Sequence, residues 1–264
     1  MEEKIPSYRT LTRRFKTLES PVISFARQIV QVLVRYRIIS LRIVATDASL
    51  LEAKGKPSQK KNPKVKPSDP DAQWGWSQTR DWVFGYKLHL TSTVLLKENG
   101  QTLVPLSWEI SSANHHDTKF FLPLMAKVNS LAQNCQRRIK YSLADKGYDD
   151  ETNYQGVKDF GFRLITPVRN LKTRTGQPVR LSRIKRSALR FLKTKKGKKL
   201  YYRRADTERL IGHLKDLFLI DPLPVMRLVN IRPYLALVNL AYLLAVLYNR
   251  LNGRSLRAIK SLIA

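Results

Sequence analysis

Two short apolar, β-rich runs each deliver an acidic side chain: residues 41–45 lead through Thr46 to Asp47, and residues 139–144 lead to Asp145. Between them lie two further β-rich runs, 82–96 and 102–110. They flank Asn99-Gly100, the strongest short-range hairpin signal. A helical pattern follows in Phe120, Phe121, Leu124, Met125, Val128 and Leu131, with Asp117 placed as its N-cap. After Asp145, Gly147 permits a tight turn, and Asp149, Asp150 and Glu151 fall where a short helix begins and acids are favoured by its dipole. Residues 162–168 read as another strand. Strands and helices in this order predict an α/β protein with a central sheet.

Residues 201–215, YYRRADTERLIGHLK, form the next constraint. On one continuous helix at about 100° per residue, Tyr201, Arg204, Glu208 and Lys215 fall within an arc of roughly 60°. Leu210, Leu214 and Leu217 lie opposite, so an apolar back holds a polar face outward. One carboxylate among cations suits a site that holds a metal and phosphate oxygens together. A solvated helix carrying an Arg–Glu pair four residues apart is the plainer alternative.

Charge narrows the partners. Lysine and arginine number 49 against 20 acidic residues, a net charge of +29 in 264 residues. Such an excess calls for a polyanion, with nucleic acid first and anionic membrane as competitor. Residues 1–10 lack the apolar core of a signal peptide, and the charge-free run 233–248 is short for a bilayer span, with Pro233 in its first turn and Gly253 beyond its end. It reads as a helix buried against the sheet. Cys135 is the only cysteine, which excludes an internal disulfide and a cysteine-type zinc site. The expected location is the cytoplasm, on the nucleoid.

Two segments concentrate the charge. Residues 53–72 interleave six lysines with four prolines and read as a loop suited to phosphates. Residues 169–199 hold thirteen lysines and arginines and no acid, and read as an extended basic insertion that orders on DNA. Residues 8–39 look helical and basic, with Ser20 and Pro21 as cap and first-turn residues of a helix running to about Arg37. The division that results is a helical arm over 1–40, a catalytic domain over 41–253 and a tail over 254–264.

Two aspartates at strand ends and a glutamate on a later helix can converge, because strand ends line a sheet edge where a following helix packs. Three converging carboxylates repel one another unless divalent cations neutralise them. Two magnesium ions roughly 3.5–4 Å apart would suit the set, activating a nucleophile on one side of a phosphodiester and stabilising the leaving oxygen on the other. A metal role for His115 and His116 is the lesser alternative, since adjacent residues do not share a helix face.

At this point the chain resembles the DDE transposases of bacterial insertion sequences, in the branch marked by Tyr, two residues, Arg, three residues, Glu, six residues, Lys. Tyr201, Arg204, Glu208 and Lys215 match that spacing. The resemblance extends to Ala45-Thr46-Asp47-Ala48-Ser49, Gly85-Tyr86-Lys87-Leu88-His89-Leu90, Asn114-His115-His116-Asp117 and Ala144-Asp145-Lys146-Gly147-Tyr148. It implies a ribonuclease-H-like fold, a mixed central sheet flanked by helices with the basic insertion before the last catalytic helix. Asp47, Asp145 and Glu208 would be catalytic and metal-binding, for two Mg²⁺ with Mn²⁺ as substitute. Tyr201, Arg204 and Lys215 would grip DNA around the scissile phosphate.

The implied reaction is cleavage at the element's ends followed by attack of the freed 3′-hydroxyl on target DNA. The implied partners are the terminal inverted repeats, target DNA and a second copy of the chain. Only 46 residues precede Asp47, little for an end-recognition domain, so a truncated copy is one expectation. No tryptophan lies between Asp145 and Glu208, which leaves Phe191 as the candidate to hold a flipped base. A decayed transposase that only binds nucleic acid, and a nuclease of the same fold that only hydrolyses, remain the alternatives.

Overall fold

A computed structural model describes residues 7–57, 66–95, 102–169, 171 and 177–263. The Asn99-Gly100 turn and Lys60, Lys61 and Lys64 of the basic loop lie outside the described residues. The chain opens with helices α1 (Tyr8–Thr17) and α2 (Glu19–Arg35). The strands are β1 (Ile43–Glu52), β2 (Gln73–Ser77), β3 (Asp81–Thr93), β4 (Pro105–Ser112), β5 (Tyr141–Ala144) and β6 (Arg163–Ile165). Helices α3 (Thr118–Asn134) and α4 (Glu151–Asp159) interrupt them; α5 (Arg183–Lys193), α6 (Lys195–Tyr201), α7 (Ala205–Phe218), α8 (Leu228–Leu251) and α9 (Lys260–Ile263) follow.

The strands form one mixed sheet. β1 pairs antiparallel with β3, and β3 pairs antiparallel with both β2 and β4 on its other side. On the opposite flank β1 pairs parallel with β5, and β5 parallel with β6. An antiparallel unit extended by two parallel strands, with helices on both faces, is the ribonuclease-H-like arrangement. Gly85 sits where β1, β2 and β3 meet; a β-carbon there would strike the Leu51 carbonyl oxygen and lie 2.8 Å from the Ala53 nitrogen.

One face of the sheet is covered by α3 and α4. The other carries α5, α7 and α8. Alternation along β1 explains the division, because successive side chains leave a strand on opposite faces. Ile43 and Ala45 join Leu143 and Ile165 under Phe191, Leu192, Leu200 and Tyr201. The main core takes Phe121, Leu124, Met125 and Val128 from α3, Leu210 and Leu214 from α7, and Leu235 and Leu243 from α8.

Several expectations need correction. Helix α2 begins one residue before Ser20, so Ser20 lies inside its first turn and does not cap it, while Pro21 is a first-turn residue as expected. Its Val22, Ala26, Ile29, Val30, Leu33 and Val34 are buried in the main core, so the 1–40 arm is packed into the domain along this helix. Strand β2, with Trp74 and Trp76, was not anticipated. The basic insertion is helical: in α5, Ile184, Ala188, Phe191 and Leu192 recur at helical spacing and turn one side to the sheet. Helix α8 is long and apolar enough to cross a bilayer by length and composition. Ten of its residues are buried, and it packs on α1, α2 and β4, so the buried-helix reading stands with a helical partner as well as the sheet.

Candidate active site

Register brings the two aspartates together. Ala45 faces Leu143 and Thr46 faces Ala144 across the parallel β1–β5 pair, so the next residues are Asp47 on β1 and Asp145 directly after the end of β5. Neighbouring strands lie about 4.8 Å apart, and alternation sends both side chains to one face. β1 itself continues to Glu52 because β3 stays paired with it, so Asp47 lies mid-strand at the point where the parallel pairing stops.

The predicted single helix over residues 201–215 is broken. α6 ends at Tyr201, residues Tyr202–Arg204 form one 3-10 turn, and α7 starts at Ala205. That turn lies across the ends of β1 and β5. Arg204 therefore reaches the acids: its guanidinium is 2.6 Å from Glu208 Oε1 and 3.9 Å from Asp47 Oδ2, and it lies 5.9 Å over the Tyr201 ring. Asp145 and Glu208 are also within electrostatic reach of Asp47.

Lys215 is elsewhere. Sharing a helix face does not bring Glu208 and Lys215 together, because seven residues are about 10.5 Å along the axis. The Lys215 ammonium donates to the Leu50 carbonyl at 2.9 Å and pairs with Asp221 at 2.7 Å. Asp221 also accepts from the Glu52 amide and pairs with Arg80. This network ties the far end of α7 to β1, the strand that carries Asp47.

The turn after Asp145 is clamped by groups that motif reading did not single out. Thr166 Oγ1 donates to the Asp145 carbonyl at 2.7 Å. Arg169 donates through Nε to the Lys146 carbonyl at 2.8 Å and through Nη2 to the Gly147 carbonyl. Asp149 accepts from the Arg169 amide at 2.8 Å and pairs with Lys185 of α5 at 3.0 Å. Asp149 thus anchors the insertion and does not cap α4, whereas Asp150 caps α4 through the Thr152 amide. Asp117 precedes α3 but makes no side-chain cap bond; its carboxylate pairs with Lys87 at 2.9 Å beside the Gly147 turn. His116 bonds Thr118, His115 lies against Phe120, and neither joins the acids. Phe191 is half-buried against the sheet and stacks on Tyr141 at 5.4 Å.

Burial leaves its mark on Asp47, whose side chain is 17% exposed. Desolvation pushes its pKa up to about 7, Glu208 and Asp145 push the same way, and Arg204 and the Ala48 amide pull against them. In the unfolded chain the group titrates near 3.9. As pH rises past about 4 the unfolded form releases its proton while the folded form keeps it until about 7, so stability falls across that window. Denaturant unfolding in a chelator should show the metal-free protein losing at most about 4 kcal/mol from this group between pH 4 and 8. Asp47→Asn should flatten the profile.

Among the described residues no three His, Cys, Asp or Glu side chains stand close enough to hold an ion as arranged. Arg204 supplies the counter-charge instead. The donor set still fits a hard divalent cation: all three groups are carboxylates, and Asp47 resists ionisation because burial strips its charged form of water.

Among curated proteins no match is found. Three solved structures are similar to this chain at 13–15% identity: a Mos1 mariner paired-end complex with Mn, a Mos1 transposase paired-end complex with the left transposon end, and a Mos1 strand transfer complex. They cover 55%, 81% and 74% of this chain, with TM-scores of 0.27, 0.29 and 0.27. The chain spans 41%, 62% and 59% of theirs. The model of the transposase DDE domain family matches residues 39–244, from the start of the sheet to within α8 and over all three acids. With most of its length inside that match, the chain belongs to the transposase DDE domain family.

Proposed function

We propose that this protein cuts DNA at the ends of an insertion sequence and joins the freed 3′-hydroxyl to target DNA, with Asp47, Asp145 and Glu208 as the catalytic carboxylates. The observation that carries the reading is the register of β1 and β5, which sets Asp47 beside Asp145, together with Arg204 reaching both Asp47 and Glu208. These carboxylates would hold two Mg²⁺, or Mn²⁺ in substitution, which when bound lower the pKa of a nucleophile and offset charge on the leaving oxygen.

The chain's own residues do the rest. Arg204, charged at any working pH and half-buried beside Tyr201, offers charge-assisted hydrogen bonds to phosphate oxygens once a cation takes over the neutralisation of Asp47 and Glu208. Tyr201 packs under that guanidinium and limits its swing. Lys215 contributes at a distance in this reading, fixing α7 to β1 through Asp221 and Leu50. The Thr166 and Arg169 bonds hold the Asp145 turn still while DNA enters. Joining requires two ends held at once, so a homodimer on inverted-repeat DNA is part of the proposal, at work in the cytoplasm on the nucleoid.

Duplexes carrying the inverted repeats that flank the reading frame provide the test. With Mg²⁺ or Mn²⁺ the protein should nick each end to leave a 3′-hydroxyl and then yield joined products with a second duplex. Nicks without joining would assign a hydrolytic nuclease of the same fold. Folded protein that nicks with neither ion would overturn the enzymatic reading.

A further inference from the structure

The acids occupy the carboxyl ends of the parallel strands, and a different surface lies at the amino ends. There the last turn of α2, the segments that follow α2 and α3, and the starts of β5 and β6 enclose a cleft of about 880 Å³. Arg37, Arg42, Arg137, Arg138, Lys140 and Arg163 line it, with no acidic residue in the wall. All six are exposed, and none forms an ion pair with a described residue. Asp159, the closest acid along the chain to the Gly161 rim, accepts from Gln155 at 2.7 Å.

The cleft does not end at its own rim. Arg137, Arg138 and Gly161 also line an adjoining hollow of about 610 Å³, and Gly161 and Arg163 line another of about 490 Å³ that adds Lys158 and Arg183. Shared walls make one cationic furrow, far longer than a single phosphate needs. Unpaired cations along a furrow complement a polymer with regularly spaced negative charge.

Its aromatic groups point to the form of that polymer. Single strands are held by bases stacked on open aromatic faces. Here Phe162 is buried, the half-buried Phe160 is stacked on it at 6.1 Å, and the Tyr141 ring is stacked on Phe191 with Lys140 over it at 5.5 Å. The furrow offers charge without a stacking platform, which suits the outside of a duplex.

We propose that this furrow is a second DNA-binding surface, gripping the phosphate backbone of a duplex segment distinct from the one at the acids. The proposal rests on the DNA-processing reading above for the choice of DNA as the polyanion. The furrow lies at the amino ends of β5 and β6, the end opposite Asp145. It is fit to hold flanking or target DNA without regard to sequence.

The test uses the full chain with the triple variant Arg137→Glu, Arg138→Glu, Arg163→Glu and, separately, the single variant Arg163→Gln. Binding to a duplex of arbitrary sequence in a chelator is measured from 50 to 200 mM salt. The expected result is at least a tenfold loss of affinity for the triple variant, and a salt slope shallower by roughly 2.7, three phosphate contacts at about 0.9 each. Arg163→Gln should show about a third of that slope change, roughly 0.9, and its mild chemistry keeps the test open if the triple variant does not fold.

Unchanged affinity and slope in folded variants would overturn the proposal, as would a loss confined to single-stranded DNA or to duplex RNA. Metal-dependent nicking by the same variants at saturating DNA should match the parent. Absence of nicking in the parent would count against the catalytic reading and leave the binding result to stand by itself.

Discussion

Asp145→Asn should give a protein that folds and binds DNA normally but cleaves it slower by a factor on the order of 10³ or more. The amide has the shape of the carboxylate and leaves the Thr166 bond to the residue 145 carbonyl in place, so the turn should hold. What disappears is one negative charge beside Asp47, and with it half of the strand-borne donor pair. Asp47→Asn should abolish cleavage to the same extent while making the metal-free protein more stable at pH 8, because it removes the group that burial pushes up to about 7. Opposite signs on activity and stability from one substitution separate a catalytic carboxylate from a structural one. Single-turnover cleavage and chelator-treated unfolding curves measure the two.

Gly85→Ala should be among the most damaging single changes outside the site, costing about 3 kcal/mol or more. The atoms an added methyl would meet are backbone: the Leu51 carbonyl, the Ala53 nitrogen at 2.8 Å and Glu52 Cα at 3.1 Å. Backbone in a paired strand cannot rotate aside as a side chain can, so relief requires β1 and β3 to part. Asp221 and Leu223 both bond to Glu52 at this point, so the loop after α7 would move as well. Urea denaturation of the purified variant, or its failure to accumulate as folded protein, reads the effect.

The parts of this molecule legible in the sequence were those where one residue's local chemistry decides the outcome. An apolar β-rich run that leads to an acid is a strand delivering that acid: Asp145 directly follows β5, while β1 carries Asp47 and runs on past it to Glu52. Asp150 and Gly253 were likewise placed by local rules, the first as a helix cap and the second as a left-handed residue past the end of α8.

Other features depend on partners distant in sequence. Charge dominates the run over residues 169–199 and masks the four apolar residues of α5 that share a side, until a sheet surface exists for them to cover. Arg169 looks like one more DNA-facing cation, and only the folded turn shows two carbonyl oxygens waiting for it. The helical wheel over residues 201–215 grouped four side chains by angle alone. It could not register the 3-10 turn that swings Arg204 onto the acids, nor the two helical turns that separate Lys215 from them. Strand β2 is five residues long and contains a glycine, and β3 supplies what its own sequence lacks.

Anomalous diffraction from crystals soaked in Mn²⁺ at pH 8 tests the central claim most directly. Density for manganese bounded by the carboxylates of Asp47, Asp145 and Glu208, with Arg204 displaced from between Asp47 and Glu208, is the predicted result. Manganese bound only at other sites, with Arg204 still bridging those two acids at saturating ion, would contradict it.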